Sequence, residues 1–318
     1  MKIITFEDIL KLNISPFECF EWVSSAIEEK KKALLPAKIS LKPEIEGVFY
    51  NTMPVILPSI NYGGVKLVTR YPKRNPSLDS EILLYDLKTG ENVALIDGNW
   101  ITTMRTGAVA AHSIKLLANP EFSVIGFIGL GNTARATLKV LLSIFPEKHF
   151  KIKLKKYKNQ HELFQQVFAK YPNVTFSYYD TMEEVIKGSE VVVSAATVFE
   201  EDVCSDDCFD EGVLLVPIHT RGFTNCDLFF DKVFADDTNH VKGFKNFDQF
   251  KSFGEISDVV LKNVCGREDK KERILVYNIG IALHDMYFAG KIYEKIYEKI
   301  EGCTEISLNA PKEKFWVE

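Results

Sequence analysis

The run Ser123-Val-Ile-Gly-Phe-Ile-Gly-Leu-Gly-Asn-Thr-Ala134 constrains this chain more than any other stretch. Its apolar residues read as a strand that runs into Gly129-x-Gly131-x-x-Ala134 and then into a helical pattern from Ala136 to Ile144. A strand, a turn and a helix with that glycine spacing form the context in which backbone cradles a dinucleotide pyrophosphate. Gly129 permits the tight turn and Gly131 lets backbone reach the phosphates. Ala134 lets the helix lie close on the sheet, and Asn132 and Thr133 open its N-terminus. The same residues also suit a plain glycine turn in an α/β sheet, so the surrounding pattern has to decide.

From about residue 122 to 280 that pattern alternates strand and helix. The candidate strands are Ser123–Ile128, Phe150–Lys155, Val174–Tyr178, Glu190–Ala195, Val213–Ile218 and Lys232–Ala235. Such alternation predicts a doubly wound parallel sheet. Residues 1–35 read as mostly helical, with Ser15-Pro16 as a cap and first-turn proline before an amphipathic stretch from Phe17 to Lys32. Residues 37–97 read as strands separated by turns: Lys38–Leu41, Gly47–Met53, Gly64–Tyr71, Ile82–Asp86 and Val93–Ile96. A helix rich in small residues spans about Thr102–Ala118, and Ile281 to Ile300 is helical again. The fold class is therefore α/β: a Rossmann-type doubly wound parallel sheet, residues 119–282, inserted in a discontinuous α+β domain, residues 1–118 and 283–318.

Composition narrows the function. With 318 residues, 46% of them hydrophobic and 26% charged, the chain has enough apolar matter for two cores. A net charge of −5 gives no bulk attraction to nucleic acid or an acidic membrane. No apolar stretch reaches the ~18 residues of a membrane span, and Met-Lys-Ile-Ile-Thr-Phe-Glu-Asp lacks the pattern of a signal peptide. Six scattered cysteines read as reduced thiols in a cytoplasm. Cys204-x3-Cys208 resembles half a metal site, but no second pair or nearby His completes it, so no metal is expected.

Several side chains are placed for chemistry. Lys66 follows Asn-Tyr-Gly-Gly in Val65-Lys-Leu-Val-Thr-Arg70, where period-two alternation puts Lys66, Val68 and Arg70 on one face. Desolvation there would lower its pKa and suit it to acid–base work; otherwise it is an exposed strand lysine. Arg105 falls in the first turn of a helix beginning near Thr102-Thr103, where a cation opposes the dipole unless an anion lies nearby. Helix N-terminus, guanidinium fork and Thr106 could together seat a carboxylate. Gly107, Ala108, Ala110 and Ala111 keep that helix thin, so something can approach closely. At the end of the second nucleotide-domain strand, Ile152-Lys-Leu-Lys-Lys-Tyr-Lys158 has no acid to hold ribose hydroxyls, and Lys156 and Lys158 would attract a 2′-phosphate. NADP(H) is favoured over NAD(H), which remains open. Thr197 and His219-Thr220-Arg221 follow strands at the ligand-gathering edge, and His284-Asp285 reads as a capping or helix-packing pair.

Together these segments resemble the ornithine cyclodeaminase/mu-crystallin family. The resemblance rests on Met53-Pro54, Gly64-Val-Lys-Leu-Val, Asp86-x-x-Thr-Gly, Ala94-Leu-Ile-Asp-Gly, Met104-Arg-Thr-Gly-Ala, the Gly129–Ala134 turn and Tyr277-Asn-Ile-Gly-x-Ala-x-x-Asp285. It implies a homodimer, a split substrate and dimerisation domain, and hydride exchange between a nicotinamide and the α-carbon of an amino or imino acid. By resemblance, Lys66 is the active-site lysine, Arg105 grips the substrate carboxylate, and Lys38 falls near a second basic residue. Asn51, Met53 and Arg221 join the expected substrate side. Ser77, Thr106, Gly129 through Ala134, Thr197, Pro217 and Asn278 join the expected cofactor side. True ornithine cyclodeaminases carry Glu where Asn51 stands and Asp where Arg221 stands, so the electrostatic partners of a diamine are missing. A ketimine reductase or amino-acid dehydrogenase is expected, with ornithine cyclodeaminase and a non-catalytic NADPH binder as the competing readings.

Overall fold

The computed structural model describes residues 1–196, 199, 201–218, 222–299 and 303–308. Two sheets organise it. The first uses β1 (Lys2–Ile4), β2 (Ile39–Leu41), β3 (Phe49–Leu57), β4 (Tyr62–Arg70), β5 (Leu78–Asp86) and β6 (Asn92–Asp97) in the order β1-β6-β5-β4-β3-β2. Strands β2 to β6 pair antiparallel, whereas β1 lies parallel to β6. Residues 1–35 are mostly helical, as expected, and this short edge strand is the one addition. Three residues are too few for a readable period, and pairing with β6 supplies what propensity does not.

Helices α1 (Phe6–Lys11), α2 (Pro16–Glu29) and α3 (Asn99–Leu117) pack beside this sheet. Ser15 caps α2 by accepting from the Glu18 N–H at 3.1 Å, and Pro16 holds the first position as its fixed φ allows. Helix α3 begins at Asn99, three residues before the expected start, which moves Arg105 out of the first turn. The helix dipole therefore does not act on Arg105.

The second sheet is the Rossmann-type one. It contains β7 (Val124–Ile128), α4 (Asn132–Ile144), β8 (Phe150–Lys155), α5 (Gln160–Phe168), β9 (Val174–Tyr179), α6 (Met182–Ile186), β10 (Val191–Ser194) and β11 (Leu214–Pro217). It continues through β12 (Lys232–Ala235), α7 (Thr238–Val241), β13 (Phe253–Glu255), α8 (Ile256–Val260) and β14 (Ile274–Tyr277). All eight strands are parallel, in the order β13-β12-β14-β11-β10-β7-β8-β9. The order reverses between β7 and β10, the switch point where open α/β sheets bind ligands. Strands β13 and β14 were not foreseen as strands. Finally α9 (Ala282–Lys299) returns to the first sheet, burying Leu283, Phe288, Ala289, Ile292 and Ile296. Beyond it, Thr304 and Ile306 bond to the backbone of Ile3 and Met1, closing the β1 edge.

Candidate active site

Lys66 stands in the middle of β4, opposite Met53 on β3, with 1% of its surface exposed. Alternation turns it with Val68 toward the helices, as anticipated. Its Nζ donates to Asp285 Oδ1 at 2.6 Å and to Thr102 Oγ1 at 2.7 Å. The Thr102 hydroxyl itself donates to the Gly98 carbonyl at 2.6 Å, so it meets Lys66 as an acceptor. Ser80, whose Oγ lies 3.0 Å from Thr102 Oγ1, donates to it as well. An ammonium has three N–H groups, and two are thereby committed.

Arg105, on the second turn of α3, is 6% exposed and donates from Nε to the same Asp285 oxygen at 2.9 Å. Its Nη1 and Nη2 make no hydrogen bond among the described residues. They lie against Gly280, where φ is +82° and an added Cβ would stand 2.9 Å from Nη1. Only glycine lets the guanidinium rest on that backbone.

Three cations gather here. Besides Lys66 and Arg105, Lys38 donates from Nζ to the Ile279 carbonyl at 3.2 Å, while its backbone N–H donates to His240 Nε2 at 3.2 Å. Burial pushes Lys66 down to about 8; Asp285 opposes the fall and Arg105 adds to it. Lys38 is also lowered, first by burial and then by the Arg105 charge. Burial pushes the Asp285 carboxyl up, but the charges of Arg105 and Lys66 outweigh it and hold the group below its ordinary value. Asp285 thus stays ionised facing two cations, whereas Lys66 shares one carboxylate oxygen with a competitor. Asp236 accepts from Asn278 Nδ2 at 2.8 Å and from the Gly280 N–H at 2.9 Å, and burial raises its carboxyl. The balance is positive, which suits an anionic small molecule.

The nucleotide side adjoins these residues. The loop after β14, Asn278 to Gly280, touches Lys38, Asp236 and Arg105 together. Gly129 has φ +81°, and an added Cβ would stand 2.5 Å from the Ala196 N–H nitrogen at the end of β10. At Gly131, which precedes α4, an added Cβ would meet nothing within 4 Å. Open space before a helix N-terminus, and a buried Asn278 Oδ1 with no partner among the described residues, fit a dinucleotide. Ala134 is fully buried, as close helix-on-sheet packing requires. Asn132 is exposed and Thr133 half-buried at the mouth of the turn.

The remaining expected residues sit as follows. Asn51 pairs with Val68, on the Lys66 face, and its Oδ1 is buried without a partner among the described residues. Thr106 donates to the Thr102 carbonyl at 2.5 Å. Pro217 ends β11 and accepts from the Asn278 N–H at 3.1 Å. Lys156 is exposed and paired with Asp180 at 3.0 Å, and Lys158 is exposed with φ +48°. Ser77 precedes β5, its carbonyl taken by the Tyr71 N–H; nothing among the described residues bonds it to the glycine turn. Thr197, His219, Thr220 and Arg221 lie outside the described residues.

Asp285, which the sequence reading gives as a cap or packing partner, is the carboxylate that joins Lys66 and Arg105. The signal was present. Asp285, Ala289, Ile292 and Ile296 fall on one helical stripe, and the three apolar members are fully buried. A carboxylate on such a stripe needs a charged partner. A groove of about 450 Å³, lined by Leu34, Pro54, Ile56, Tyr85 and Leu87 among others, lies on the sheet face away from Lys66.

The profile of the Ornithine cyclodeaminase/mu-crystallin family matches residues 2–300. Nodulation efficiency protein NfeD of Rhizobium meliloti is 28% identical over 270 residues, 81% of this chain and 83% of that protein. Delta(1)-pyrroline-2-carboxylate reductase of Thermococcus litoralis, solved with NADH and L-proline, superposes with a TM-score of 0.84. It is 26% identical and covers 94% of this chain and 98% of its own. An archaeal alanine dehydrogenase dimer with bound NAD gives a TM-score of 0.83 at 24% identity, covering 96% and 99% of the two chains. No helix among the described residues is long and apolar enough to cross a membrane.

Proposed function

This chain belongs to the ornithine cyclodeaminase/mu-crystallin family, and from that premise we propose an NAD(P)(H)-dependent enzyme working at the α-carbon C–N bond of an amino or imino acid. One observation carries the proposal: Lys66 and Arg105 converge within 3 Å of one carboxylate oxygen, beside the loop that leaves the dinucleotide sheet at β14. When bound, the nicotinamide cofactor supplies or accepts the hydride. The chain's own residues do the rest. The two terminal nitrogens of Arg105 grip the α-carboxylate as a fork, with Lys38 adding charge at its side. Lys66 holds or removes a proton at the substrate nitrogen through its one uncommitted position, and a value of about 8 suits both directions near neutrality. Asp236 keeps the Asn278–Gly280 backbone in place under the cations.

Gly129, Gly131, Asn132, Thr133 and Ala134 are the proposed pyrophosphate cradle, with Thr106, Pro217 and Asn278 toward the nicotinamide. NADP(H) is the proposed cofactor, because the end of β8 offers lysines and no acid. The exposed Lys156–Asp180 pair is worth at most about 1 kcal/mol and yields readily to a 2′-phosphate. Asn51 in the substrate pocket favours cyclic imino acids and monoamino acids over diamines. Lys38 and Arg221 are the proposed partners of any second acidic group on the substrate. Residues 119–282 form the proposed nucleotide unit, and 1–118 with 283–318 the substrate unit. That second unit dimerises through the sheet face that no described residue covers, where Leu34, Ile56 and Leu67 are exposed.

The test is oxidation of NADPH and NADH in the presence of cyclic ketimine carboxylates, and of α-keto acids with amines. Turnover that survives undiminished in Lys66→Ala refutes the assigned roles. Ornithine converted to proline and ammonia with catalytic cofactor would replace this reading by cyclodeamination.

A further inference from the structure

Asp285 uses its two oxygens unequally. Oδ1 accepts from Lys66 Nζ at 2.6 Å and from Arg105 Nε at 2.9 Å, while Oδ2 is buried with no partner among the described residues. A carboxylate kept for stability would spread its bonds over both oxygens, since a buried unpaired oxygen is costly. The geometry instead serves direction. With Nε taken, the guanidinium keeps its Nη1–Nη2 edge, beside Gly280, free of hydrogen bonds among the described residues. With one N–H on Asp285 and another on Thr102, the third tetrahedral position of Lys66 is fixed too. That position carries an N–H when the lysine is charged and a lone pair when it is neutral, so a proton enters and leaves at one place.

We propose that Asp285 is the positioning residue of this site: one carboxylate oxygen, shared by Lys66 and Arg105, aims the carboxylate fork and the proton-transfer group at the same substrate. This rests on the roles proposed above for those two cations. The charged and titratable groups facing them are Asp285 and His284 from α9, Arg105 from α3, Lys38 from the segment before β2, and Asp236 from the turn after β12. Among these, Asp285 is the anion that touches Lys66. Its charge therefore holds the ammonium against burial, Arg105 and Lys38, all of which push it down.

The experiment reads Lys66 directly. The full chain is labelled with [13Cε]lysine, the Lys66 resonance is assigned by its loss in Lys66→Met, and its titration is followed without substrate or cofactor. The wild-type midpoint is expected near 8. In Asp285→Asn it falls by at least about one pH unit, tenfold in proton affinity, and Asp285→Glu recovers most of the fall. Arg105→Met moves it the other way, because Oδ1 then serves Lys66 alone; this variant stands in should Asp285→Asn not fold. A midpoint unmoved in folded Asp285→Asn, or unmoved in Arg105→Met, overturns the proposal. The titration needs no turnover. Absence of hydride exchange with every imino acid tested therefore refutes the proposed function while leaving this assignment to stand or fall on its own readout.

Discussion

Gly107→Ala tests how the two halves of the molecule are joined. Gly107 lies on α3, two residues after Arg105, and faces α4 across a very close approach. An added Cβ would stand 2.5 Å from Ala136 Cβ, 2.6 Å from the Thr137 nitrogen and 2.7 Å from the Ala136 carbonyl carbon. Ordinary carbon contacts lie at about 3.5–4.0 Å, so the helices must part by about 1 Å. Such overpacking costs about 1–3 kcal/mol, against about 1 kcal/mol that alanine contributes as a better helix former. The net is a destabilisation of about 1 kcal/mol, seen calorimetrically as a fall of about 2–4 °C in Tm. Arg105 rides on one helix and the glycine turn opens the other, so a shift of that size also lowers kcat by about 100-fold. A Tm that rises, as helix propensity alone requires, together with unchanged kcat, would refute the argument that this contact sets the distance between cation and cofactor.

Four further outcomes are expected. Gly131→Ala meets no protein atom within 4 Å, so its Tm stays put while its Kd for NADPH in a fluorescence titration rises at least about tenfold, since the new methyl lies where the phosphates approach. Lys156→Ala combined with Lys158→Ala brings the NADPH affinity down toward that for NADH, and the wild-type preference shrinks with added salt. Imine reduction needs protonated Lys66 and declines above about pH 8, whereas oxidation needs the neutral amine and rises through the same value; profiles that run in parallel would exclude Lys66 as the shared group. Burial pushes Glu255 up, but Lys30 and Thr238 outweigh it and hold the carboxyl at about 2, below its ordinary 4.5. Its contribution to stability is complete above about pH 5 and is lost as pH falls toward 2, so the urea midpoint of Glu255→Gln should differ from wild type at pH 7 and converge with it at low pH.

What could be read from the sequence was local. The glycine turn declares itself through the φ that Gly129 adopts and the neighbour that Ala134 must not crowd. Lys66 was recognisable because strand alternation decides its face. The small residues of α3 signalled a close approach, and α4 proved to be what approaches. The misses were non-local or short. Asp285 meets Lys66 across 219 positions and Arg105 across 180, so no window reveals the pairing, and a charge on an apolar stripe was mistaken for a cap. Strands β1, β13 and β14 run to three or four residues and exist because a neighbour supplies the ladder. The start of α3 was misjudged by three residues, enough to assign Arg105 to a dipole it does not feel.

The parallel sheet is complete within residues 124–277, while its host sheet waits for α9 and for Thr304 to Ile306 to cover it. As the chain leaves the ribosome, every described strand of the parallel sheet exists before α9 is made. Lys66 and Arg105 are made by then, whereas Asp285, the carboxylate they share, is not. Among the described helices α9 is the last in the chain, so the carboxylate shared by the two cations is supplied only after both sheets have their strands.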